Sequence, residues 1–208
     1  MSNAGLIIEE RSRDIGDFLV GGLIPFRKKR MVGPFSFIDH MEHADVSLDN
    51  YMEVGQHPYI GLSTLTYLFE GSIMHRNSTG AIKQTLPGNV GWMTGGNGVV
   101  HTERTPAQMR DGETYPLHGF QIWVALPKDK EEIEPHFSHT EKSEHPSWVE
   151  KDVEYTLIAG KGYGKESPVP VYSELFMLQL LSKSKSTFSV NDNLKDEIGI
   201  CAVEGFIE

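Results

Sequence analysis

Apolar residues recur along the chain in short runs, and Gly, Pro and Asn interrupt them at close intervals. In Ser63-Thr64-Leu65-Thr66-Tyr67-Leu68-Phe69, β-branched and aromatic residues dominate and apolar positions alternate with small polar ones. That is the pattern of a strand. Comparable runs predict strands at 31–32, 35–38, 62–69, 82–85, 90–93, 119–126, 155–159, 174–181, 187–190 and 198–203. Turn residues separate them: Glu70-Gly71, Asn77-Ser78-Thr79-Gly80, Pro87-Gly88-Asn89 and Gly95-Gly96-Asn97-Gly98. Short strands at such spacing with glycine turns predict an all-β barrel or sandwich. Helix signals are weak, and only 128–133, after Pro127, suits a single short turn.

The texture changes at 137–150, a stretch rich in His, Ser, Glu and Lys. It reads as an exposed crossing. Beyond it about four further strands follow, too few to close a barrel of their own. They complete the first module, pack as an open sheet or pair with another chain, and an uncovered edge favours a homo-oligomer. The expected division is a first β module over 5–136, a crossing over 137–152 and a shorter β segment over 153–208.

Composition narrows the function classes. The 208 residues carry a formal net charge of −10, which disfavours a phosphate-backbone partner. The basic run Arg27-Lys28-Lys29-Arg30 is short and reads as a solvated loop rather than a nucleic-acid patch. A single cysteine, Cys201, excludes an intrachain disulfide and favours a reducing compartment. No apolar run reaches membrane-span length and no signal peptide is visible, so the expected location is cytoplasmic, with no membrane partner.

Two short patterns carry the chemistry: His57-Pro58-Tyr59 and His101-Thr102-Glu103. On strands, positions i and i+2 point to one face, so two strands facing one interior would converge four side chains. Two imidazoles and a carboxylate with open positions suit a divalent transition metal, as in non-haem Fe(II) oxygenases. Spacing alone leaves open the plainer reading of two surface histidines. The context before His101 favours a pocket. Gly95-Gly96-Asn97-Gly98 allows a sharp bend at a rim, and Trp92, Met93, Val99 and Val100 would make an apolar wall. A carboxylate at Glu103 in such a wall calls for a partner.

The chain also resembles the pirin family of cupin proteins. The resemblance rests on MVGPFSFIDHM (31–41), HPYIGLSTLTYLFEGSIMHRNSTG (57–80), LPGNVGWMTGGNGVVHTE (86–103) and LHGFQIWVALPKDKE (117–131). It implies a cupin barrel, of double-stranded β-helix or jelly-roll type, followed by a shortened second cupin-like segment. It further implies one metal at the barrel mouth, usually iron, on three histidines and a glutamate. His57, His101 and Glu103 fall on ligand positions. Tyr59 stands where the family has a histidine, and a phenol, with an ordinary pKa near 10, is a poor ligand for a divalent ion. The resemblance therefore leaves three outcomes: a three-ligand site completed by water, a weaker site, or a lost one.

Two functions follow. One is a metal-dependent dioxygenase acting on a flavonol of the quercetin type or a similar enolisable aromatic. There Fe(II), or Cu, Ni, Mn or Zn, binds the substrate oxygen and Glu103 takes its proton. The other is a non-catalytic cupin whose partner is a regulatory protein or small ligand. Among remaining residues, His75 reads as a hairpin contact, Glu70 as a strand end and His118 as a hydrogen-bonded structural histidine. His136, His139 and His145 read as solvated. Phe35, Phe37, Met74 and Trp123 divide between core and pocket lining.

Overall fold

The structure, a computed structural model, describes residues 5–14, 19–47, 50–188 and 197–205. The chain is all-β. Its strands are β1 (Arg11–Asp14), β2 (Leu19–Ile24), β3 (Phe35–Val46), β4 (Glu53–Tyr59), β5 (Leu62–Glu70), β6 (Ile73–Asn77), β7 (Ile82–Thr85) and β8 (Val90–Thr94). They continue as β9 (Val99–Arg104), β10 (Tyr115–Ala125), β11 (His136–Thr140), β12 (Ser147–Glu150), β13 (Val153–Gly162), β14 (Lys165–Glu166) and β15 (Phe176–Ser182). A seven-stranded sheet runs β1-β2-β3-β10-β5-β8-β11, and a four-stranded sheet runs β4-β9-β6-β7. A third sheet joins β12, β13 and β14, with β15 also paired to β13. All these pairings are antiparallel.

Alternation along β5 separates two interiors. Leu65 and Tyr67 join Val90, Trp92, Phe120, Ile122 and Val124 in a buried core that also takes Ile158, Ala159 and Val169 from the later part of the chain. Thr64 and Thr66 point the other way, toward the four-stranded sheet, where Thr66 bonds Glu103 of β9. Met41, Val46, Met52, Leu68, Ile73 and Leu117 form a second apolar cluster. The turn ahead of β9 needs glycine. Gly96 has a φ of +47°, and a Cβ there would lie 1.9 Å from the Ile133 carbonyl oxygen. Gly95 N–H donates to Leu62 O and Gly61 N–H to Gly96 O, which ties this turn to the start of β5.

Several expectations change. Residues 31–32 form only an isolated bridge between Val32 and Phe35, and 198–203 form no strand. The run expected at 187–190 has no strand at 187–188, and its remainder lies outside the described residues. The expected turn after Pro127 is a single 3-10 turn, Lys128–Lys130. The stretch expected to be an exposed crossing contains β11, which extends the seven-stranded sheet by pairing with β8. Thr140 and His145 are buried there while 141–144 and 149–152 are exposed, so the stretch is in part an edge strand and in part an exposed crossing.

Candidate metal centre

Three neighbouring strands build the site. β4 and β9 pair so that His57 lies opposite His101. β6 and β9 pair so that His75 lies opposite Glu103. The i, i+2 spacing within His101-Thr102-Glu103 puts His101 and Glu103 on one face. The rings of Tyr59 and His101 approach edge to face at 5.1 Å, and those of His57 and Tyr59 at 5.2 Å. The structure thus sets His57 and Tyr59 against His101, with Glu103 two residues along the same strand face, while the group that gathers within ligand reach of Glu103 is His75 and His101 rather than His57.

It adds His75. Expected as a hairpin contact, this residue is buried, stacks on Phe137 at 4.2 Å and lies beside His101. His75, His101 and Glu103 each offer a ligand atom within 4.8 Å of the others. The signal available in the sequence was the i, i+2 strand parity of Ile73 and His75. That β6 pairs with β9 rather than only with its hairpin partner is a long-range fact.

The hydrogen bonds assign the imidazole tautomers. His57 Nδ1 lies 2.8 Å from the Gly55 carbonyl oxygen, which only accepts, so the proton is on Nδ1 and Nε2 presents a lone pair. His101 Nε2 lies 2.8 Å from that atom and donates to it. His101 Nδ1 is then an acceptor, and His75 Nδ1, 3.4 Å away, donates to it. This leaves a lone pair on His75 Nε2, a buried atom with no hydrogen-bond partner among the described residues. Burial holds both inner rings neutral: His101 is pushed down to about 3, further helped by His57 and His75, and His75 to about 4.

Glu103 is buried at 5% exposure. Burial pushes its carboxyl up to about 7, while the Thr66 hydroxyl, 2.8 Å from Oε1, works in the opposite direction. Thr66 also touches Gln121 at 2.8 Å. Its single hydrogen serves the carboxylate, so the Gln121 amide is oriented with its NH2 toward Thr66. Burial and then the Glu103 charge push the Tyr59 phenol above its ordinary range, outweighing the nearby Trp123 indole.

This donor set fits a divalent transition ion. Facing nitrogens 2.8 Å apart have the spacing of neighbouring ligands on one ion, since bonds near 2.1 Å put adjacent ligands about 3 Å apart. His57 Nε2 offers a lone pair with its ring already fixed by the Gly55 carbonyl, His101 Nε2 offers one once its proton moves to Nδ1 and is accepted by His75 Nδ1, and among the described residues the buried acid has no cationic partner. Tyr59, held in its phenol form, contributes a ring edge. Beside it, Trp123 meets Tyr59 edge to face at 5.2 Å and stacks on Phe37 at 4.1 Å, making an aromatic wall. The wall expected from residues 92–100 is corrected in part. Trp92 belongs to the core on the other face of the sheet, and Val100 is exposed.

The remaining histidines are distributed elsewhere. His118 is buried with Nε2 2.9 Å from His40 Nε2, as a hydrogen-bonded structural histidine would be. His145, expected in solvent, is buried, and His139 approaches Asn89 at 3.4 Å. Glu70 closes β5 and bonds His43.

Known proteins share this arrangement of sequence and strands. The Pirin family pattern matches residues 18–124. A pirin-like protein of Caulobacter vibrioides is 46% identical over 174 residues, which are 82% of this chain and 60% of that protein. The solved quercetin 2,3-dioxygenase from Acinetobacter baumannii superposes with a TM-score of 0.76 at 34% identity, over 83% of this chain and 56% of that one. The chain therefore spans 60% or less of the length of these two relatives. With the family pattern covering residues 18–124, more than half of the chain and all the strands that carry the site, the chain belongs to the pirin family of cupin proteins.

Proposed function

We propose that the chain binds one divalent transition metal through His57, His101 and Glu103 and acts as a dioxygenase on a flavonol of the quercetin type or a similar enolisable aromatic. The observation that carries this is the meeting of half-buried His57 with buried His101, which has buried Glu103 two residues along the same strand face, beside the Tyr59–Trp123–Phe37 wall. His75 stands behind His101 and fixes its ring. Fe(II) is the first choice, with Cu, Ni, Mn and Zn as competitors for the same nitrogen and oxygen donors.

The metal would supply Lewis-acid polarisation of a substrate oxygen. The protein supplies the rest. The aromatic wall receives a flat ring and excludes water. Glu103 is the acid positioned to take a hydroxyl proton from the substrate, and its burial favours the protonated form. Thr66 holds Oε1, so the proton goes to Oε2. The quercetin dioxygenase relative supports this substrate class.

Purified chain reloaded separately with Fe(II), Cu(II), Ni(II) and Mn(II) tests the reading against quercetin under oxygen. Loss of flavonol absorbance is expected with at least one metal, and Glu103→Gln lowers that rate about 10²–10⁴-fold. No turnover with any metal contradicts the reading. One observation favours a second function, that of a non-catalytic regulatory cupin: Tyr59 is held in its phenol form, which removes a ligand. Metal binding without turnover would select it.

A further inference from the structure

A second cluster of imidazoles lies on the opposite face of the seven-stranded sheet from Glu103. In β10, Gln121 and Trp123 face the site already described, whereas Phe120 faces the core shared with the later strands. His40 stacks on Phe120 at 4.8 Å, and His118 meets Phe69 at 4.8 Å, so both share the Phe120 face. The His43 ring covers His118 at 4.0 Å. Glu204 reaches the same place from the segment 197–205. His43, His118 and Glu204 each offer a ligand atom within 4.8 Å of the others. An open pocket lies at the cluster, lined among others by Glu10, His40, Glu42, His43 and His118.

The surrounding carboxylates determine which nitrogens are free. Glu70 Oε2 lies 3.1 Å from His43 Nδ1. A carboxylate accepts, so His43 carries its proton there and Nε2 keeps a lone pair. Glu10 Oε1 lies 3.0 Å from His40 Nδ1, which fixes the His40 proton in the same way. His40 Nε2 therefore accepts, and His118 Nε2, 2.9 Å away, donates to it. His118 Nδ1 is left with the lone pair. Carboxylates that orient imidazoles so that the opposite nitrogen is bare form the usual outer shell of a metal site.

We propose that His43 Nε2, His118 Nδ1 and the Glu204 carboxylate form a second divalent transition-metal site, whose ion fastens the segment 197–205 onto the seven-stranded sheet. Glu70 and the Glu10–His40 pair set the ligand tautomers. Two imidazoles and one carboxylate select Zn(II), Co(II) or Ni(II) over Mg(II) or Ca(II), which prefer all-oxygen shells.

Co(II) titration of the full chain, followed by calorimetry and visible absorption, tests this. The comparison is with His43→Ala/Glu204→Gln, both exposed positions, with far-UV circular dichroism as the fold control. The double variant is expected to bind one Co(II) fewer per chain than the unaltered protein. Any ion at His101 contributes equally to both proteins, so failure of the first site leaves this difference intact. Glu70→Gln is expected to weaken the second site about 10–100-fold. In a parallel NMR measurement, Ni(II) is expected to broaden the His43 and His118 ring signals. Equal Co(II) stoichiometry in the two proteins, or unbroadened rings, would overturn the proposal.

Discussion

Tyr59 is the residue on which the metal chemistry turns. Its phenol stays protonated because burial and the Glu103 charge both oppose ionisation. An imidazole in its place would offer a lone pair without that cost. Tyr59→His is therefore expected to raise divalent-metal affinity at this site about tenfold or more by calorimetry, and an unchanged affinity would show that position 59 does not face the ion. The buried ionisable groups also predict a pH profile for the metal-free chain. The folded values of His75 and His101 are lowered to about 4 and 3, so the unfolded chain binds protons more readily, and stability falls as pH drops below about 6.5. His118, His139 and His145 shift in the same direction. Glu103 is raised to about 7, so its contribution is greatest in acid and is lost as pH rises from about 4.5 through 7. Imidazoles outnumber the acid, so denaturant unfolding of metal-free protein should show stability rising with pH from about 4.5 to 6.5, then levelling or falling slightly.

At the scale of elements, β9 lies between β4 and β6, and this order makes the site. The sequence showed the parity of His57 with Tyr59 and of His101 with Glu103, because strand period is local. It did not show His75, because the neighbour of β6 is set by a pairing across Asn77↔His101 and His75↔Glu103. Trp92 was misread for a related reason: a continuous apolar run such as Gly91-Trp92-Met93 has no visible polar face. β11 was hidden because an edge strand tolerates the polar alternation of His136–Thr140. The irregularity between His118 and Gly119, where β10 slips against β5, yields a separate test. A Cβ on Gly119 would lie 2.3 Å from the Tyr67 carbonyl oxygen and 2.9 Å from Leu68 Cα, both backbone atoms that cannot move aside. Gly119→Ala is expected to destabilise by about 1–3 kcal/mol in urea unfolding; a neutral effect would mean the bulge relaxes freely.

For the whole molecule, the later strands share the core of the seven-stranded sheet. Ile158, Ala159 and Val169 pack with Leu65, Trp92, Phe120 and Ile122, and the Tyr67 hydroxyl donates to Gln179 at 2.6 Å. The all-β class and the strands β3, β5, β7, β8 and β10 were legible, in whole or part, because their turns carry Gly, Pro and Asn; β1, β2, β4, β6 and β9 were not among the expected strands, because polar or glycine residues break up their apolar runs. The way the later part packs was not legible, because its partners lie far away in the chain. Ile158→Ala should cost about 2–5 kcal/mol. It should also leave a single unfolding transition, since the cavity opens in a core common to both parts; two resolved transitions would argue for independent units. The central claim concerns where an ion sits, and anomalous X-ray diffraction from crystals loaded with Fe(II) tests it most directly. The account predicts a peak about 2.1 Å from His57 Nε2, His101 Nε2 and a Glu103 oxygen. Loaded crystals whose anomalous map shows no peak among these three residues would contradict it.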